Sequence, residues 1–272
     1  QNSRQSNALS ANFQAAMIKE ITSSANPVVK HLRALTSSKK IRQESGTFII
    51  EGWRGLKTLL EHESRRYTIE KIVISSEWNH LEKLPTSIET IRMSEHVFEK
   101  VSDVKNAQGI LGVIRHTSCP FEILPDTGNY LLLDTLRDPG NLGTLIRSAV
   151  GAGFDGVLLY GECVEPFNPK VIRSTMGTFA FCNIWNIGNG EIQDLMDHGY
   201  DLCITTGIDG DNLYKAKFGK KNVLVVGSEA HGVSEELMKH ATRKITIPLT
   251  AACESLNAAV AGSICIFQMR NT

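Results

Sequence analysis

Three short segments of this 272-residue chain carry side chains able to hold and orient a polar ligand. The first runs Thr135-Leu136-Arg137-Asp138-Pro139-Gly140-Asn141-Leu142-Gly143 and continues to Arg147. Asp138-Pro139-Gly140 is a turn, and Asn141 is expected to cap the helix behind it. Arg147 falls among Leu145, Ile146, Ala149 and Val150. An arginine half-buried in such a setting needs an anionic partner. That partner is either a core carboxylate or a ligand's phosphate or carboxylate, which the rigid guanidinium fork can clamp. The second segment is Gly227-Ser228-Glu229-Ala230-His231-Gly232-Val233-Ser234. Gly227 closes an apolar run, where a missing side chain lets a ligand approach the backbone. Glu229 lies between two glycines at the expected mouth of a cleft. His231 reads as a plain loop histidine, since nothing pairs with it at metal-ligand spacing. The third segment runs from Pro248 to Asn257, and Ser255 is the natural cap of a helix expected over Ser255–Met269. A helix start also receives anions and polar ligands, so Ser255 can cap or contact a ligand.

Other candidates carry less. Gly151-Ala152-Gly153-Phe154-Asp155-Gly156 matches the dinucleotide-binding fingerprint letter for letter. That fingerprint requires a strand before it and a helix after it. Here a helical pattern precedes and an apolar strand follows, so the glycines are expected to end a helix. Without an acid placed to bind a ribose, a nicotinamide oxidoreductase is disfavoured. The six cysteines have no metal or redox spacing, and several sit within apolar runs as small core residues. No metal site is expected, and no apolar run approaches the roughly 20 residues of a membrane helix.

Those segments need a scaffold. Leu131–Asp134, Val157–Tyr160, Leu202–Thr205, Val223–Val226 and Ile245–Ile247 are short apolar runs. Helical patterns alternate with them at Leu142–Gly151, Pro169–Met176, Ile192–His198, Glu235–His240 and Ser255–Met269. Continuous apolar strands alternating with helices indicate a parallel sheet covered on both faces. In such sheets ligands bind beyond the carboxyl ends of the strands, and all three polar segments follow a strand. The fold class is therefore α/β. Ahead of it, Asn26–Thr36 has helical spacing, Thr47–Glu51, Lys71–Ser75 and Gly109–Arg115 read as strands, Leu56, Leu59 and Leu60 suggest a helix, and Glu95–Val101 reads as another. The expected organisation is a leader over residues 1–17, disordered or a cloning remnant, a small α/β domain over 18–117, a breaker-rich linker over 118–129, and a second domain over 130–272.

Charge gives only a local signal. Lysine plus arginine equals aspartate plus glutamate, 29 against 29, so a whole-chain basic excess is absent. Residues 21–60, however, hold seven basic residues against two acidic ones, among them Lys30, Lys39, Lys40 and Arg42. Such an arm can neutralise phosphates, although a charged stretch can equally be a solvated face.

Together the three post-strand segments resemble the SpoU (TrmH-like) family of the SPOUT methyltransferases. Asp138 through Arg147 looks like its first motif, Gly227 through Gly232 its second, and Ile247-Pro248 through Ser255-Leu256-Asn257 its third. Asn168 through Gly177 is similar to the family's substrate-side stretch. Asn26–Lys30, Lys39–Arg42, Gly46–Gly52 and Gln108-Gly109 resemble its RNA-recruiting domain. Ala230 stands where the family often has glycine. The resemblance implies methyl transfer from S-adenosylmethionine to a ribose 2′-hydroxyl of RNA. Ribosomal RNA is favoured and transfer RNA is the alternative. A non-catalytic RNA-binding protein on the same fold would be expected to have lost the polar set. The resemblance also implies a deep trefoil knot, a homodimer with a shared active site, and cofactor contacts at Gly227, Ile247 and Leu256. Asn141, Arg147, Glu229, Ser255 and Asn257 would line the site, with Lys30, Lys39, Lys40 and Arg42 on RNA. The family assigns Arg147 as the base, which conflicts with arginine's near-permanent protonation. A phosphate-clamping Arg147, with late proton loss through Ser255 or water and with Glu229 orienting Arg147 or Asn257, is less demanding. The expected location is cytoplasmic, or organellar if the leader is a trimmed transit segment.

Overall fold

A computed structural model describes residues 18–124 and 126–271. The expected leader at residues 1–17 lies outside the described residues. The chain divides into two compact units, one up to residue 118 with residues 167–169, the other residues 119–166 and 170 onward.

The first unit contains β1 (Lys19–Ile21), α1 (Pro27–Ser37), α2 (Lys39–Ser45), β2 (Thr47–Glu51), α3 (Trp53–Glu61), β3 (Tyr67–Ser75), β4 (Glu89–Met93), α4 (Glu95–Phe98) and β5 (Ile110–His116). Its sheet has the order β1-β4-β3-β5-β2. β1, β4 and β3 run parallel, and β5 is antiparallel to both β3 and β2. α1 begins with Pro27, where a missing N–H costs nothing, and the Asn26 side chain accepts from Val28 N at 2.9 Å. It buries Val29, Leu32 and Leu35. The basic stretch after it folds into the short helix α2, which overturns one expectation. Arg42 is only 5% exposed, and its guanidinium donates to Leu35 O at 2.6 Å and Thr36 O at 3.2 Å. Its charge is spent on the open carbonyls at the end of α1, a favoured place for a cation. Arg42 is therefore a structural residue, not an RNA contact.

The second unit contains β6 (Gly128–Asp134), α5 (Pro139–Ala152), β7 (Gly156–Tyr160), α6 (Pro169–Thr175), β8 (Ile184–Ile187), α7 (Asn189–Asp197), β9 (Asp201–Thr205), β10 (Asp211–Asn212), β11 (Lys221–Val226), α8 (Glu235–Met238), β12 (Arg243–Thr246) and α9 (Ala258–Arg270). Its seven-stranded sheet has the order β10-β12-β9-β11-β6-β7-β8, and every pairing is parallel. Leu131–Leu133 and Val223–Val225 are fully buried, as strands covered on both faces require. The glycine fingerprint is indeed a helix stop. Gly153 adopts φ 78° after α5, and its N–H returns to the carbonyls of Ala149 and Val150. Part of the expected linker belongs to this unit. Trp185 Nε1 donates to Pro120 O at 3.2 Å and Tyr200 Oη to Leu124 O at 3.0 Å. Phe121 stacks edge-on against Trp185 with ring centroids 5.1 Å apart.

The strand order has one consequence for chemistry. β6, β11 and β9 are neighbours and β12 lies beside β9. All are parallel, so the segments following β6, β11 and β12 emerge at the same edge of the sheet.

Candidate active site

The segment after β6 does not start its helix where the sequence suggested. The cap of α5 is Asp138, whose side chain accepts from Asn141 N at 2.7 Å. Asn141 is thus inside the first turn and its side chain is free for other work. Asn141 Nδ2 donates to Glu229 Oε1, and Asn141 Oδ1 accepts from Asn257 Nδ2 at 3.1 Å. One amide so joins all three polar segments. The third segment is also re-registered. α9 begins at Ala258, and its cap is Asn257 rather than Ser255, with Oδ1 accepting from Ala259 N at 2.9 Å and Val260 N at 3.2 Å. Asn257 therefore caps through its oxygen and reaches Asn141 through its nitrogen. Ser255 is exposed on the loop ahead.

A pocket of about 500 Å³ opens beside this chain of amides. Ile245, Ile247 and Leu256 supply apolar walls, and Glu229, Ser255 and Asn257 lie along it. The size and the mixture of apolar wall with few polar groups suit a nucleoside-sized ligand. Gly227 also lines it, but its lack of a side chain has a structural cause. A Cβ there would stand 2.1 Å from Gly232 C and O. The loop doubles back at that point, with Ser228 N donating to Gly232 O at 3.0 Å and Gly232 N to Ser228 O at 2.9 Å. Cys265, at the floor, has its thiol pushed up to about 12 by burial, so it is a neutral lining group.

Asp134 escaped the sequence reading. It ends the apolar run of β6 and is 1% exposed. One carboxylate oxygen accepts from Thr135 Oγ1 at 3.0 Å and the other from Ser234 N at 2.6 Å. It thereby pins the end of the Gly227–Ser234 loop to the neighbouring strand. The signal was present: an acid finishing a fully buried strand must find donors.

Arg147 is placed differently from the expectation. It is exposed and has no ion-pair or hydrogen-bond partner among the described residues. Six residues past Asn141, it lies about 9 Å further along the helix axis, on the side of α5 away from the core positions Leu142, Leu145, Ile146 and Ala149. Glu229 accordingly orients Asn141, not Arg147. His231 is an exposed loop residue, as expected. In the first unit, Lys30 and Arg33 line a shallow cavity with Lys100, and Lys40 pairs with Glu44 at 3.7 Å on an exposed face. Among the described residues no cluster of side chains could hold a metal ion, and no helix is long and apolar enough to cross a membrane.

The comparisons with known proteins agree with this geometry. Residues 128–267 match the SpoU rRNA Methylase family, and residues 26–112 match the MRM3-like substrate binding domain. The 23S rRNA (guanosine(2553)-2′-O)-methyltransferase RlmP of Bacillus subtilis is 31% identical over 93% of this chain and 100% of its own length. The mitochondrial rRNA methyltransferase 3 of Mus musculus is 26% identical over 86% of this chain and 69% of its own length. Among solved structures, the AdoMet-bound rRNA methyltransferase from Sinorhizobium meliloti superposes with a TM-score of 0.83 at 30% identity, covering 94% of this chain and 98% of that one. Family match, full-length relatives and an assembled polar site coincide on one conclusion: the chain belongs to the SpoU rRNA methylase family.

Proposed function

We propose that this enzyme methylates the 2′-hydroxyl of a ribose in ribosomal RNA, using the pocket beside Asn141 for the methyl donor. The observation that carries this reading is the bridge from Glu229 through Asn141 to Asn257 at the pocket's edge. A non-catalytic relative has no need to keep three polar segments in register. Full-length similarity to a protein named as a 23S rRNA guanosine 2′-O-methyltransferase makes ribosomal RNA the substrate of choice. Such a substrate places the enzyme in the cytoplasm, or in an organelle as for the mitochondrial relatives.

S-adenosylmethionine supplies an electrophilic sulfonium methyl group. Ile247 and Leu256 would hold its adenine between apolar walls, and the backbone at Gly227 lines the same pocket. Asn141, held from both sides, orients polar groups at the reacting centre, so catalysis is largely positioning. Arg147 clamps the phosphate next to the target ribose, for which its free guanidinium fork is suited. As the methyl group passed from the sulfonium to the ribose oxygen, the hydroxyl proton would leave late, relayed through Ser255 or a water to solvent.

Two further features belong to this reading. Val260 and Phe267 are 49% and 43% exposed on one face of α9. α9 packs beside α5 through Ser148 Oγ and Ser263 Oγ at 2.8 Å and Arg270 to Gly151 O at 3.0 Å. Exposed Arg147 on α5 and this apolar face on α9 support a homodimer in which a second chain completes the site. The strand order β12-β9-β11-β6, with the chain then returning to α9 beside α5, supports a trefoil-knotted C-terminal segment. In the first unit, Lys30, Arg33, Lys39 and Lys40 form the recruiting surface.

The test is to incubate the enzyme with methyl-labelled S-adenosylmethionine and unmodified ribosomal RNA. A methylated 2′-oxygen can no longer attack the adjacent phosphate, so one linkage should become resistant to alkali. Label on a base, or none at all, would refute the reading.

A further inference from the structure

The first unit has a second cleft, of about 660 Å³, that the methyltransfer reaction does not use. It lies where β2, β3 and β5 bring Gly52-Trp53, Ser75–His80 and Gln108-Gly109 together. Its wall is aromatic. Trp53 and Trp78 have ring centroids 6.1 Å apart at 47°, and Trp78 meets His80 edge-on at 5.6 Å. Trp78 is buried, whereas Trp53 is partly open to solvent. Lys83 Nζ stands 5.9 Å from the centroid of Trp53, placing a positive charge beside the open ring. Trp53 is fixed from behind, because its backbone N–H donates to Gln108 Oε1 at 2.9 Å. That bond leaves the Gln108 amide nitrogen as a spare donor.

An acceptor borders the same space, and a rotation of its side chain would present it there. Glu95 lines the cleft, and its Oε2 is buried without a hydrogen-bond partner. Buried acceptors in folded proteins almost always have a partner, and a missing one calls for explanation. A ligand that brings N–H groups would satisfy it. An open aromatic ring, a nearby cation, an unsatisfied carboxyl oxygen and a spare amide donor fit a planar heterocycle with adjacent N–H donors and a carbonyl. Among nucleobases only guanine offers adjacent N1–H and N2–H₂ beside O6. Unpaired bases are the part of RNA that proteins read by stacking and edge contacts.

We propose that this cleft binds an unpaired guanine of the RNA substrate, its ring stacked on Trp53 and its N1–H and N2–H₂ edge on Glu95. The inference rests on the reading of the chain as an RNA methyltransferase, and it concerns a recognition nucleotide rather than the methylated one. It adds sequence selection to a domain whose lysines and arginines can only count phosphates.

The experiment uses the full chain and three RNA octamers: all uridine, uridine with one central guanosine, and uridine with one central adenosine. Affinity is read by anisotropy and stacking by tryptophan quenching. The guanosine octamer should bind at least about tenfold tighter than all-uridine and quench fluorescence, the range expected of one stacked base. Trp53→Ala should abolish the preference and Trp53→Phe should retain most of it. Glu95→Gln should bring guanosine down to the adenosine level without changing all-uridine binding. Equal binding of all three octamers, or a guanosine preference surviving both Trp53→Ala and Glu95→Gln, would overturn the proposal. S-adenosylmethionine binding is titrated by calorimetry on every variant. If the variants bind the donor normally, their second units are folded. A wild type that ignores the donor but prefers guanosine would instead break the methyltransferase reading and leave the cleft standing.

Discussion

Asn141 donates through one amide atom and accepts through the other, so a single side chain can hold Glu229 and Asn257 in fixed relation. An asparagine or glutamine side chain offers both functions on one planar amide. Arg147 is the opposite case, a guanidinium with five donors and no partner among the described residues. Its fork suits a phosphate, and lysine keeps the charge while losing the fork. Arg147→Lys should therefore lower kcat/KM by about tenfold to a hundredfold, the range of lost charge-assisted hydrogen bonds. Affinity for S-adenosylmethionine should be unchanged. Steady-state methylation with parallel calorimetry reads both, and full activity in this variant would rule out the clamp.

At the scale of elements, helix starts decide the site. The cap of α5 lies three residues before, and that of α9 two residues after, the residue that the sequence suggested. Asp138 wins over Asn141, and Asn257 over Ser255. Asn257 couples helix stability to site geometry, and two substitutions separate the roles. Asn257→Asp keeps an oxygen for Ala259 N and Val260 N and puts negative charge at the helix start, which is favourable. It cannot donate to Asn141. Thermal stability should stay near wild type while turnover falls by about a hundredfold, as for a misplaced orienting group. Asn257→Ala should lose the same turnover and also about 1 kcal/mol of stability. Thermal melts beside turnover measurements distinguish the cases, and a fully active Asn257→Asp would break the link between cap and site.

At the scale of the whole molecule, one exposed face and one buried core set behaviour. The uncovered face of α9 holds Val260 and Phe267. In the proposed homodimer, Phe267→Glu should give a monomer in sedimentation velocity, and turnover should fall with it while donor binding survives. A dimer that persists would place the interface elsewhere. The buried core of the second unit makes the other prediction. Burial pushes the thiols of Cys203 and Cys265 up to about 12 from an ordinary 9.0. Their protonated forms are favoured in the folded chain, and that contribution is complete below pH 9. Above pH 9 the unfolded chain sheds these protons first, so stability falls as pH rises towards 12, by about 1.4 kcal/mol per pH unit for each thiol. Melting temperatures from pH 8.5 to 10.5 should drop accordingly. Cys203→Ala with Cys265→Ala should flatten that slope, at a cost in stability at neutral pH.

Short-range pattern was enough for much of this molecule. The uninterrupted apolar runs Leu131–Leu133 and Val223–Val226 identify central parallel strands, because strands covered on both faces can be apolar throughout. Strand Thr47–Glu51, the stop at Gly153 and the three polar segments behind strands were legible for the same local reason. The weak edge strands Ile184–Ile187 and Asp211–Asn212 were not, since their pairing partners rather than their own residues make them strands. Arg42 looked like a phosphate contact because sequence records charge but not direction. Only the fold turned its guanidinium onto the carbonyls of Leu35 and Thr36. The meeting of Asn141, Glu229 and Asn257 likewise belongs to tertiary structure. Residues 88 and 116 positions apart become hydrogen-bonded because parallel strands deliver their following loops to one edge. Local propensity specified which residues could do the chemistry, and long-range strand pairing decided which of them touch.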